Sequence, residues 1–170
     1  MLYNDRKFFV EYNSQELGQC CYQQRDYQTN FDGTCFFRFM PSSDLDSFDA
    51  VAALAGVTGV ATYEGQAAME FEAQAAAWGA CDRPYRFTID EGAEVMLVDP
   101  VSVLNPMISD IIAGRPLGLV AARFHGAVAD MIVRTAIIAR SQTGIDCVAL
   151  SGGVFQNWTL LVSATNQLTL

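Results

Sequence analysis

The segment CVALSGGVFQN, residues 147–157, sets three apolar residues against a serine and two glycines before the chain turns into a helical pattern. Consecutive glycines after a short strand mark either a tight turn or a place where backbone approaches a ligand closely. The first-turn N–H groups of a following helix lack intrahelical partners and carry its partial positive charge. An anion above Gly152 and Gly153 would therefore be stabilised without a lysine. By pattern alone both readings stand. A hydrolytic triad of Ser151, His125 and Asp146 exists in residue types, but Ser151 lacks the G-x-S-x-G elbow that would expose a nucleophile. His125 is the single histidine, which excludes any site needing two imidazoles from this sequence. The five cysteines are odd in number and lack C-x-x-C spacing, so they read as reduced structural thiols rather than a disulfide framework or zinc site.

Charge and length narrow the partners. Ten basic against nineteen acidic residues, a net charge of −9, argue against nucleic acid, which is held mainly through Lys and Arg. An apolar fraction of 51% over 170 residues is ample for one core, in a compact domain or a piece of a larger one. No apolar run reaches the roughly 20 residues of a membrane span, and the N-terminal MLYNDRKFFVEYNSQ lacks a signal-peptide core, so the expected setting is the cytoplasm.

Those residues must be positioned by a series of short elements. Residues 1–40 show no sustained period and stay unassigned. SSDLDSF offers Ser and Asp caps to a helix over FDAVAALAGV, closed by Gly56 and Gly59. YEGQAAMEFEAQAAAW reads as an Ala-rich helix with Met69, Ala73 and Ala76 or Ala77 on one face and Glu70, Glu72 and Gln74 left wet. YRFTID and AEVMLV read as paired strands around the turn-prone EGA. VSVLNPMISDIIAG reads as a helix capped by Asn105, with Pro106 in its first turn and Gly114 as its stop. Residues 117–141 form the longest helical pattern, with Phe124, Val128, Met131, Thr135 and Ile138 on one stripe. Gly144 ends it, DCVAL is a short buried strand, and GVFQNWTLLVSATNQL opens the last helix.

Four of these segments, SSDLDSFDAVAALAGV, YEGQAAMEFEAQA, PLGLVAARFHGAVADMIV and VALSGGVFQN, resemble in order and spacing the C-terminal part of HypF-type carbamoyltransferases, which mature [NiFe] hydrogenases. The resemblance covers residues 41–161, with 1–40 unassigned and 162–170 outside it. It implies an α/β fold: a partial lobe of the actin-like ATPase fold, helix-rich with a few short strands, with nucleotide held in a cleft between lobes. It further implies ATP and carbamoyl phosphate as substrates, a carbamoyl-adenylate (and so AMP) at the site, and a HypE-like partner whose C-terminal cysteine receives the carbamoyl group. Carried onto matching positions, the candidate nucleotide-binding residues are Asp49, Glu64, Gly65, Gly152, Gly153 and Asn157. Asp49 would reach the ribose or acyl part, the glycines would admit close approach, and Asn157 would donate and accept.

The departures from the family are large. Its histidine-rich metal motif and a downstream Asp-Gly-Gly segment have no counterpart, so no metal ligands and no catalytic residue are assigned here. Trp158 stands where an arginine is usual. NFDGTCFF contains an Asp-Gly-Thr like the family's phosphate turn, but much closer to the next helix than in the family, so an ordinary turn is the better reading. These differences lead to the expectation of a truncated carbamoyltransferase, inactive alone, with a non-catalytic interaction module as the alternative and self-association through exposed apolar surface.

Overall fold

A computed structural model describes residues 7–12, 20–21, 35–39, 47–57, 60–63, 65–91 and 96–169. Among them, the strands are β1 (Lys7–Tyr12), β2 (Cys20–Cys21), β3 (Cys35–Phe39), β4 (Thr88–Asp90), β5 (Leu97–Asp99) and β6 (Cys147–Ser151). The helices are α1 (Ser47–Leu54), α2 (Gln66–Trp78), α3 (Val101–Ile112), α4 (Leu117–Thr143) and α5 (Trp158–Leu168). The fold is α/β, helix-rich with short strands.

Strands β3, β1 and β6 form a parallel sheet in that order, with Glu11 opposite Ser151 at its carboxyl end. Strands β2, β5 and β4 form an antiparallel sheet. The YRFTID and AEVMLV segments pair as expected, with Ile89 opposite Val98, although the paired portions are only three residues each. Three strands arise in the first forty residues, where no period was legible. KFFVEY and CFFRF are short aromatic-rich runs suited to a pleated surface, and neither alternates strictly between apolar and polar residues.

Helix α4 is the axis of the core. Over 27 residues, about 40 Å at 1.5 Å per residue, it buries side chains over more than half of its circumference, from Val120, Ala121 and Phe124 to Ile132, Ala136 and Ala139, and leaves Arg123, Asp130, Arg134 and Ile137 on the outer face. The expected stripe is present: Phe124, Val128, Met131 and Thr135 are buried and Ile138 half-buried. Gly118 is where α2 comes closest, since a β-carbon there would sit 3.1 Å from the Gln74 carbonyl oxygen and 3.2 Å from Trp78 Cβ.

Two local expectations are revised. Helix α2 buries Ala67, Phe71 and Ala75, not the Met69 face; Met69, Ala73, Ala76 and Ala77 are exposed. Phe71 decides the rotation, because burying its ring outweighs anything an alanine face can offer. Helix α3 starts at Val101 rather than at Asn105, so Pro106 lies inside it. Asp99 Oδ1 accepts the Val101 N–H at 2.9 Å, and the extra turn buries Val103 beside Met107, one turn apart on the core face.

Candidate functional site

Asp49 lies in the first turn of α1, and its Oδ1 accepts the Ala68 N–H at 2.9 Å. That N–H belongs to the first turn of α2, whose donors have no intrahelical partners, so a carboxylate from a neighbouring helix satisfies it. Gly65 precedes the helix as its N-cap residue with φ +76°, a left-handed conformation that a side chain resists, and its carbonyl accepts the Met69 N–H. Asp49 and Gly65 therefore meet at the same end of α2. Glu64 lies outside the described residues. The entry to α2 is held further by Gln66, whose Oε1 accepts from both Thr62 N–H and Thr62 Oγ1, while its Nε2 donates to Glu70.

One turn further along α2, Glu72 Oε1 accepts the Thr159 N–H of α5 at 2.9 Å across 87 positions of sequence. Glu72 is thus half-buried and engaged, contrary to the expectation that it stays in water. Ala68 and Glu72 are one helical turn apart, so α2 brings Asp49 and the start of α5 to one face within about 6 Å along its axis.

The last helix does not follow the glycines directly. Gly153–Gln156 form a 3-10 turn closed by Phe155 N–H to Gly152 O and Asn157 N–H to Val154 O, and α5 begins only at Trp158. Asn157 is its N-cap, with Oδ1 accepting the Leu160 N–H at 2.9 Å. The first-turn donors at Thr159 and Leu160 are thus taken by Glu72 and Asn157, so this helix end is not the open anion site that direct continuation would have made. The two glycines differ. Gly152 adopts φ +105°, ψ 162°, a region essentially confined to glycine, whereas a β-carbon on Gly153 would meet nothing within 4 Å.

His125 is buried at 2% exposure, with its ring 5.1 Å from that of Phe48, 5.6 Å from Phe71 and 6.5 Å from Phe124. Its Nδ1 lies 2.8 Å from the Ala121 carbonyl, which can only accept, so Nδ1 carries the proton. Nε2 then presents a lone pair to Asn157 Nδ2 at 2.9 Å. Burial lowers the His125 pKa from its ordinary 6.5, against the opposing pull of the Ala121 carbonyl and the Glu72 charge. Neither ring nitrogen faces Ser151, so the triad geometry is absent. Among the described residues, no group of three or more His, Cys, Asp and Glu side chains could hold a metal ion, and no helix is long and apolar enough to cross a membrane.

Of the sequence candidates, Asp49 and Gly65 meet at the start of α2, while Asn157 bonds to His125 of α4 and caps α5, at the end of the turn that carries Gly152 and Gly153. Glu72 and His125 complete the arrangement. No local signal marks Glu72, because its partner lies on a different helix.

Comparison with known proteins follows the same region. A family model described as the second subdomain of the Kae1-like domain of carbamoyltransferases matches residues 45–170. The carbamoyltransferase HypF of Synechocystis sp. is 34% identical over 123 residues, which are 71% of this chain and 15% of that protein. The HypF of Rhizobium leguminosarum bv. viciae is 39% identical over 115 residues, 66% of this chain and 14% of that protein. A full-length HypF solved in its phosphate- and nucleotide-bound form superposes with a TM-score of 0.67 at 36% identity, over 72% of this chain and 16% of that one. The HypF of T. kodakarensis superposes with a TM-score of 0.59 at 26% identity, over 76% and 16% of the two chains. This chain therefore spans about a seventh of the curated relatives it matches.

Proposed function

The chain belongs to the HypF carbamoyltransferase family, and from that premise we propose that it forms one wall of a nucleotide site serving carbamoyl transfer in [NiFe] hydrogenase maturation. The observation that carries this reading is the position of the Gly152–Gly153 turn. Strand β1 has β3 on one side and β6 on the other, so the order reverses between β1 and β6, and the two glycines stand just beyond the carboxyl end of β6. Parallel α/β sheets bind ligands outside the carboxyl ends of their strands at such a reversal. A superposable relative was solved with nucleotide bound, which supports a nucleotide as the class of ligand.

In this reading Gly152 holds the turn's shape and Gly153 leaves open the space a nucleotide would approach. Asp49 and Asn157, already engaged at the helix ends, hold the surrounding backbone donors and offer their second lone pairs. ATP would activate the carbamoyl group of carbamoyl phosphate for delivery to the C-terminal cysteine of a HypE-like partner in the cytoplasm. No metal-dependent step is assigned to this chain, because its described residues do not assemble a ligand set.

Calorimetry with AMP tests the proposal. Wild-type protein is expected to bind AMP, and Gly153→Ala to keep wild-type stability while losing at least about tenfold in affinity, since its methyl enters ligand space rather than protein. Gly152→Ala is expected to destabilise by about 1–3 kcal/mol, because alanine cannot relax at φ +105°. AMP binding unchanged in Gly153→Ala would remove the turn from the site, and no binding to wild type would favour an interaction module.

A further inference from the structure

We propose that His125 is a positioning residue for this site: by accepting from Asn157 Nδ2, its Nε2 fixes which way the Asn157 carboxamide points, and so sets the α5 cap and the turn that Gly152 opens. Its bearing on nucleotide binding rests on the reading above; its bearing on the turn does not.

The hydrogen bonds run in one consistent direction. The Ala121 carbonyl takes the proton of Nδ1, which leaves Nε2 as an acceptor. Asn157 Nδ2 must then face the imidazole, which turns Oδ1 toward the Leu160 N–H. A carboxamide rotated by 180° would set oxygen against a lone pair and nitrogen against an N–H, losing both bonds. The imidazole cannot turn away, since Phe48 and Phe71 pack against it. Phe48 precedes Asp49 and Phe71 precedes Glu72, so the same ring touches both elements that carry the neighbouring carboxylates. A proton on Nε2 would oppose one donor with another and force the cap to break. The charge acting on the ring is that of Glu72 from α2, with Asn157 the neutral partner from α5.

The test compares three variants of the full chain. His125→Gln retains an acceptor, His125→Phe retains the aromatic packing without one, and Asn157→Ser retains a capping oxygen that is too short to reach the imidazole. Amide exchange at Asn157 and Leu160 is expected to rise about tenfold in His125→Phe, as for loss of one ordinary hydrogen bond, while Phe71 and Ala75 on α2 stay protected. His125→Gln is expected to restore it, and AMP affinity to follow the same order. In wild type, nitrogen NMR of the imidazole is expected to show Nδ1 protonated and Nε2 bare. An Nε2–H tautomer, or wild-type exchange at Leu160 in His125→Phe, would overturn the proposal. Should His125→Phe fail to fold, the tautomer and Asn157→Ser decide: with the serine, the bare Nε2 signal should shift as it loses its donor, and an unmoved signal counts against the bond. Should wild type bind no AMP, the nucleotide reading fails, while exchange and tautomer still decide the role of His125.

Discussion

Replacing Phe71 by alanine is expected to lower the free energy of unfolding by about 3–5 kcal/mol, the range for emptying a fully buried aromatic site. Phe71 has no exposed surface, and its ring lies 6.0 Å from that of Phe124 and 5.6 Å from that of His125. The seam around it cannot close easily, because at Gly118 helices α2 and α4 already approach as near as their backbones allow. Met69→Ala, on the same helix at 59% exposure, is expected to change stability by no more than about 0.5 kcal/mol. Urea unfolding of both variants measures the contrast, and equal effects would mean that α2 turns a different face to the core.

Removing the Asp110 carboxylate has the second largest expected effect. Its Oδ2 accepts from Tyr85 OH at 2.8 Å and from Arg123 Nη1, Arg115 lies at 4.0 Å, and the Arg123 guanidinium stands 5.8 Å over the Tyr85 ring. Burial pushes the Asp110 carboxyl up, but the hydrogen bonds from Tyr85 and Arg123 and the charges of Arg123 and Arg115 outweigh it and leave the pKa below the ordinary value. Burial, reinforced by Asp110, raises the Tyr85 phenol. Asp110→Ala strands Arg123, whose buried Nε already lacks a partner. Breaking a fully buried pair costs about 3–5 kcal/mol; with 18% and 23% of these two side chains exposed, about 2–3 kcal/mol is expected. Because the folded pKa lies below the unfolded one, the carboxylate's contribution is complete above the ordinary carboxyl value of 3.8 and is lost as pH falls through the folded value. The deficit of Asp110→Ala should therefore be present at pH 7 and shrink below pH 3.8. A deficit that does not depend on pH in this range would assign Asp110 to packing alone.

How much of this was legible depended on what each segment displayed. Helix α4 was readable almost to its ends, because its apolar positions outnumber any alternative period and Gly144 stops it. Helix α2 existed as expected, but alanines on every side left its rotation to Phe71, and that ring counts only once its neighbours are known. The start of α3 was missed because Asp99 and Pro100 act as a cap without belonging to the apolar pattern. Asp49, Gly65, Gly152, Gly153 and Asn157 are candidates named through family resemblance, whereas the bonds that hold Asp49 and Asn157 required coordinates. Glu72 and Thr159, or His125 and Asn157, are far apart in sequence and adjacent only because α2 and α4 both pack against α5.

The central claim is that nucleotide meets the turn beyond β6. Titrating AMP into the isotope-labelled full chain, and following each backbone amide by NMR, reads this directly. The account predicts the largest shifts at Gly152, Gly153 and Asn157, smaller ones at Ala68 and Leu160, and little change at the distant end of α3. Shifts confined to another surface, or none at saturating AMP, would contradict it.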